Sequence, residues 1–197
     1  MSLSKKPILL FETIKVQNFE AKNLEFHIKR AQNSVRENLK FDFNEVIKVP
    51  NNGLFRTKII YDELGNFISS ENFSYKARNF SSFKVLKSKI SYERKFLDRS
   101  EINELFLQKG DCSDIIVDKN GVLTDTSIAN IAIFLHGIWI TPKSPLLKGT
   151  TRERLLQIGF LKELDFGISE LLKADKFAIL NAMLGFFEIK NAKFEIN

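Results

Sequence analysis

The chain has 197 residues, of which 44% are hydrophobic and 27% charged, with a net charge of +6. That length can bury a real hydrophobic core, as one large domain or two small ones, and the composition is ordinary for a soluble globular protein. The single cysteine, Cys112, excludes an internal disulfide and a cysteine-based metal cluster. No apolar run reaches the roughly 18 residues a membrane helix needs, and the apolar stretch after Lys5 and Lys6 is shorter than a signal-peptide core of about 7 to 15. These features point to the cytoplasm and to no membrane partner.

The elements follow in chain order. Residues 7–16 alternate as a strand, and residues 24–39 carry Leu24, Ile28, Ala31, Val35 and Leu39 at helical spacing, with Asn23 as N-cap. Residues 54–61 and 67–75 read as strands of a hairpin turning through Leu64-Gly65-Asn66. Residues 76–82 are polar and weakly patterned, an interdomain linker, which divides the chain into 1–80 and 81–197. A strand follows at 83–90, then a short helix capped by Ser100 and ended by Gly110.

Asn120-Gly121 between apolar runs is the strongest hairpin signal, and His136-Gly137 marks a second hairpin. Thr150 and Glu153 form a capping box opening a helix through Ile158. A short helix near 169–172 lies between apolar runs at 161–166, 177–180 and 186–189. Strands cluster without a βαβ rhythm, so the fold class is α+β.

The positive charge is uneven: Lys84, Lys87, Lys89, Arg94 and Lys95 are opposed locally only by Glu93 and Asp98. A basic stretch serves a nucleic acid, an anionic small molecule, or simply a solvated face. No zinc-finger spacing, RNA-recognition aromatic motif or long basic helix is present, which argues against nucleic acid. His27, His136 and Trp139 read as structural, and no second ligand at metal spacing accompanies either histidine, so no metal site is expected.

Three segments together resemble the class IV aminotransferase family. They are Lys95-Phe96-Leu97-Asp98-Arg99; the run from Gly121 to Ile131, in which Asp125 precedes Asn130 by five; and Thr141-Pro142 followed by Leu146-Leu147-Lys148-Gly149-Thr150-Thr151-Arg152. Phe11-Glu12-Thr13 and His27-Ile28-Lys29-Arg30 add weaker support. The resemblance implies a two-domain fold, with a small N-terminal α+β domain and a larger, mixed β-barrel-like C-terminal domain with helices. It also implies a pyridoxal 5'-phosphate cofactor, an active site between the domains, and a homodimer.

The same resemblance assigns cofactor attachment and proton transfer to Lys95, with Lys89 as the second candidate. It makes Asp125 the partner of the pyridine nitrogen, where the family usually has glutamate. Arg30 is implied in phosphate binding, against a pattern that alone leaves it solvated. Gly149, Thr150 and Thr151 would bind phosphate at a helix start, and Leu147 would wall the ring. Ser127 and Asn130 either contact the cofactor or hold the site together, and Arg99 is either a site residue or a partner of Asp98.

Within the family, the closing Leu180-Asn181-Ala182-Met183 and the Gly149-Thr150-Thr151-Arg152 turn resemble the 4-amino-4-deoxychorismate lyase branch. That branch releases pyruvate to leave 4-aminobenzoate for folate biosynthesis. A D- or branched-chain amino-acid aminotransferase and a low-activity cofactor-binding protein are the alternatives. Members usually carry a further strand and a Gly-Asp-Gly turn, which often shape the substrate pocket, ahead of the first strand matched here; this departure favours the cofactor-binding alternative. An excess of positive charge suits an anionic amine substrate.

Overall fold

The computed structural model describes residues 6–196 and is α+β, as the strand and helix pattern predicts. Lys5, weighed above with Lys6, lies outside the described residues. The chain forms two compact units, one of Met1–Lys76 with Arg94–Asp98, the other of Ala77–Glu93 with Arg99–Asn197. The division thus differs from a single cut at 80/81, because the segment carrying Lys95 returns to the first unit.

In the first unit, β1 (Leu9–Gln17), β2 (Glu20–Ala21), α1 (Leu24–Ser34), α2 (Phe43–Val46), β3 (Leu54–Asp62) and β4 (Phe67–Ser74) follow one another. The sheet is antiparallel in the order β2-β1-β3-β4. Even-numbered residues of β1 share a face, by the period of two of a strand. Leu10, Ile14 and Val16 on that face pack with Ala31 of α1 and with Phe43, Ile59 and Tyr61.

Helix α1 stops earlier than the apolar spacing through Leu39 predicts. Val35 is extended, and Arg36 donates its backbone N–H to Glu63 O at 2.9 Å while its guanidinium bonds the Glu63 carboxylate. Tertiary bonds therefore override the periodicity. Asn23 stands at the N-cap position but makes no side-chain cap bond, and its backbone is left-handed (φ 53°). Gly65, also at positive φ, turns the β3–β4 hairpin where a Cβ would lie 2.1 Å from Asn38 O.

The second unit contains β5 (Ser82–Lys87), α3 (Ser100–Leu107), β6 (Asp114–Lys119), β7 (Val122–Thr126), β8 (Asn130–Leu135), β9 (Ile138–Thr141), α4 (Thr150–Gln157), β10 (Leu161–Glu163), α5 (Ile168–Lys173), β11 (Lys176–Asn181), β12 (Gly185–Ile189) and β13 (Lys193–Ile196). Its sheet is mixed. β5 and β6 are parallel neighbours joined across α3, which is a βαβ unit that the strand-rich pattern conceals. β13, absent from the sequence reading, adds a second parallel partner to β5.

Both expected hairpins form, with Asn120, Gly121, His136 and Gly137 all at positive φ, the requirement of the tight two-residue turn. Phe80, within the stretch read as a linker, is buried in this unit's core with Phe83, Ile116, Ile131, Ile133 and Phe177.

Two helix starts differ from expectation. Arg99, not Ser100, is at the N-cap of α3, and Gly149, not Thr150, is at that of α4; neither start has a side-chain cap bond, so the Thr150–Glu153 capping box does not form. Thr150 and Thr151 are buried in the first turn of the helix.

Candidate active site

Lys95 sits on a short extended segment fixed by backbone pairing. Phe11 N–H donates to Lys95 O at 3.0 Å and Leu97 N–H to Leu9 O at 2.9 Å, with Leu10 bridged to Phe96. A residue that follows β5 in sequence is thereby held against the edge of β1. Its side chain is half-buried, with Nζ 4.6 Å from the ring centroid of Phe11, whereas Lys89 is exposed. Of the two candidate lysines, it is Lys95 that lies on a segment held by this pairing.

The same unit contains a buried charge cluster. Glu12 belongs to the apolar face of β1 and is fully buried. A lone carboxylate there would be strongly unfavourable, so it must be paired. His27 and Arg30, three apart on one face of α1, supply the partners. Arg30 Nε donates to Glu12 Oε1 at 2.8 Å and an Nη donates to Oε2, a two-point guanidinium–carboxylate pair; His27 Nδ1 lies 2.7 Å from Oε2.

Burial alone would raise the Glu12 pKa, but the Arg30 charge and the hydrogen bonds from His27 and Arg30 outweigh it and hold it at about 2. An ionised carboxylate only accepts, so His27 carries its proton on Nδ1. Burial holds the His27 pKa below its usual value, which keeps the ring otherwise neutral. Arg30 is therefore mostly buried rather than solvated, and its plane is set by Glu12. Glu12 and His27 lie in segments that resemble the family, but their pairing could not be recognised from sequence, since one reads as an ordinary strand residue and the other as a solitary histidine.

In the second unit, Asp125 and Asn130 face each other where β7 meets β8. Asn130 Nδ2 donates to Asp125 Oδ1 at 2.6 Å and to Leu147 O at 2.7 Å, and Leu147 N–H donates to Asp125 Oδ2 at 2.9 Å. The Asp–Asn spacing of five thus reflects direct contact across a turn. Asp125 is buried, not a solvated hairpin end, and burial pushes its pKa up to about 7; the amide donors of Asn130, Leu147 and Leu146 offset this only in part.

Gly149 adjoins this network for a reason other than phosphate access. A Cβ there would stand 2.0 Å from Asn130 Oδ1, so the missing side chain makes room for Asn130. Leu147 contributes through its backbone, with a half-buried side chain.

Ser127 is buried; its N–H lies 3.3 Å from Asp114 Oδ1, and its carbonyl accepts from Arg99 Nη2 at 2.7 Å. Arg152, fully buried on α4, donates to Pro142 O at 2.6 Å and Glu163 Oε1 at 2.7 Å, tying the Thr141-Pro142 loop to the helix. Among the described residues no group of three or more His, Cys, Asp or Glu is arranged to hold a metal, and no helix is long and apolar enough to cross a membrane. His136 is exposed, Trp139 half-buried and Cys112 buried.

The first unit thus offers a half-buried lysine on a strand edge, and the second a buried, amide-bound carboxylate near the glycine-led start of α4. The class IV amino-transferase family model matches residues 95–192. A solved structure from Haemophilus somnus, provisionally named a 4-amino-4-deoxychorismate lyase, is 30% identical with a TM-score of 0.82, covering 92% of this chain and 100% of that one. An uncharacterised protein of Haemophilus influenzae is 37% identical over 187 residues, 89% of this chain and 98% of its own. A Mycobacterium tuberculosis aminotransferase of hypothetical function, solved with pyridoxal phosphate bound, shares the fold (TM-score 0.79, 15% identity, 100% and 86% covered). The chain belongs to the class IV amino-transferase family. As a member it is an enzyme whose cofactor is pyridoxal 5'-phosphate.

The residues present fit that group. Burial leaves the Asp125 carboxyl near half-protonated at neutral pH, and a protonated ring nitrogen beside it would return it to the ionised form. At the start of α4, where Thr150 and Thr151 follow Gly149, the first N–H groups have no acceptor within the helix, which is the kind of place that accepts a phosphate.

Proposed function

We propose that this enzyme is a 4-amino-4-deoxychorismate lyase, releasing pyruvate from its substrate to leave 4-aminobenzoate, with Lys95 as the cofactor-bearing and proton-carrying residue. The observation that carries the reading is full-length similarity to the Haemophilus somnus structure so named, at 30% identity. The net charge of +6 supports an anionic amine substrate.

When bound, pyridoxal phosphate supplies an electron-withdrawing ring that accepts the electron pair left as a substrate C–H bond breaks. The chain's own residues do the rest. Lys95 would hold the cofactor through Nζ, and its amine, once displaced by the substrate amine, would remove the hydrogen carried by the amine-bearing ring carbon. Asp125, fixed by Asn130 and Leu147, keeps the cofactor nitrogen protonated. Arg30 in the first unit, and Thr150 and Thr151 at the start of α4 in the second, are the residues that would bind the phosphate. Asn130 and Ser127 hold this framework, and Leu147 walls the ring. We place the enzyme in the cytoplasm as a homodimer, on the family resemblance.

Incubation of the holoenzyme with aminodeoxychorismate, with pyruvate measured by a coupled dehydrogenase, tests the reaction. Pyruvate and 4-aminobenzoate in equal amounts without a 2-oxo acid are expected, and Lys95→Ala should lower the rate about 10³-fold or more. Turnover that requires a 2-oxo acid and a D- or branched-chain amino acid would make the enzyme an aminotransferase. Bound cofactor with neither reaction would leave a cofactor-binding protein.

A further inference from the structure

Glu12 and His27 lie outside the roles just assigned, yet they form a deeply buried polar contact of the first unit. Glu12 is 0% and His27 1% exposed, beneath an Arg30 that retains 14%. A guanidinium on a helix can swing through several rotamers, and its five N–H donors lie in one plane. Here two of them, on Nε and one Nη, are held by a single carboxylate, which fixes the plane of the whole group. The carboxylate cannot turn in its own right, because His27 Nδ1–H holds Oε2 from the neighbouring turn of α1 at 2.7 Å.

We infer that Glu12 and His27 are positioning residues that set the orientation of Arg30 for the cofactor phosphate. This rests on the cofactor reading above and deepens it: recognition of the phosphate then depends on an arginine aimed by a buried acid and a neutral imidazole, neither of which touches the ligand. The arrangement adds no net positive charge, since the ionised Glu12 offsets Arg30 and His27 is neutral. Its contribution is therefore geometric, and it should discriminate between ligands that carry a phosphate and ligands that do not.

The experiment is an absorbance titration of the apoenzyme with pyridoxal phosphate and, separately, with pyridoxal, which lacks the phosphate. Wild type, Glu12→Gln, His27→Leu and His27→Asn are compared, with the melting temperature of each followed by circular dichroism. Glu12→Gln and His27→Leu are expected to weaken pyridoxal phosphate roughly tenfold while leaving pyridoxal unchanged. His27→Asn, whose amide can replace the Nδ1–H donor, should recover most of the loss. Equal weakening of both ligands, or no change for either, would overturn the positioning role while leaving the cofactor assignment intact. A wild-type protein that binds neither ligand would instead sink the cofactor reading, and this inference with it. Should Glu12→Gln fail to fold, the two His27 variants alone decide the matter.

Discussion

Glu12 and Asp125 are two carboxyl groups buried to nearly the same extent, and their protonation goes opposite ways. Glu12 meets a guanidinium and an imidazole N–H and is held at about 2; Asp125 meets only amide donors directly and is pushed up to about 7. Burial raises both, so partner charge decides the outcome. Within the first unit the charge of Glu12 is already paired. The second holds a carboxyl whose charge a cation would complete, and a protonated pyridine ring is such a cation.

The largest expected effect breaks the Asp125 side of this contrast. Asp125→Ala should lower turnover about 10³-fold while Lys95 still takes up cofactor, as a steady-state assay beside a spectral titration would reveal. A fall of less than threefold would mean that the carboxyl has no role in the chemistry. On the other side, Glu12→Gln should leave an incompletely compensated guanidinium and cost about 3 kcal/mol of folding stability at pH 7, measured by urea denaturation. An unchanged urea midpoint would show that the pair is not a stabilising contact.

The contrast also sets two pH windows. Asp125 has a raised folded pKa, so its contribution to stability is complete below its ordinary value of 3.8 and is lost as pH rises through about 7. Glu12 has a lowered one, so its contribution is complete above 4.5 and is lost as pH falls through about 2. Between pH 5.5 and 7 the apoenzyme should therefore lose about 2 kcal/mol through Asp125, a loss absent from Asp125→Asn and reduced by bound cofactor. A flat profile in the wild type would contradict the raised pKa. Smallest is Gly149→Ala, whose Cβ would press on Asn130 Oδ1; a cost of about 1 kcal/mol and a measurably weaker cofactor affinity are expected from thermal melts and titration.

How much of this is legible in the sequence differs between the same two regions. The Asn120-Gly121 turn, the Asp125–Asn130 spacing and the lysine-led segment at Lys95 are local signals, and the structure forms the hairpin and brings Asp125 and Asn130 into contact. Glu12 is not local: its alternation reads like any strand, and its burial depends on a helix residue 18 positions away. The parallel β5–β6 pair was hidden because α3 is short and preceded by irregular chain. The end of α1 at Ser34 was hidden because the bonds that draw Arg36 away come from Glu63. Gly149 was legible as a required glycine, but the atom that requires it, Asn130 Oδ1, was not.

The most direct measurement is borohydride reduction of the cofactor-loaded protein followed by peptide mass mapping. The expected result is one added pyridoxyl phosphate group per chain, on the peptide containing Lys95 and on the Nζ of that residue. Attachment at Lys89 or another lysine, or no attachment to a protein that nevertheless turns over substrate, would contradict the role assigned to Lys95.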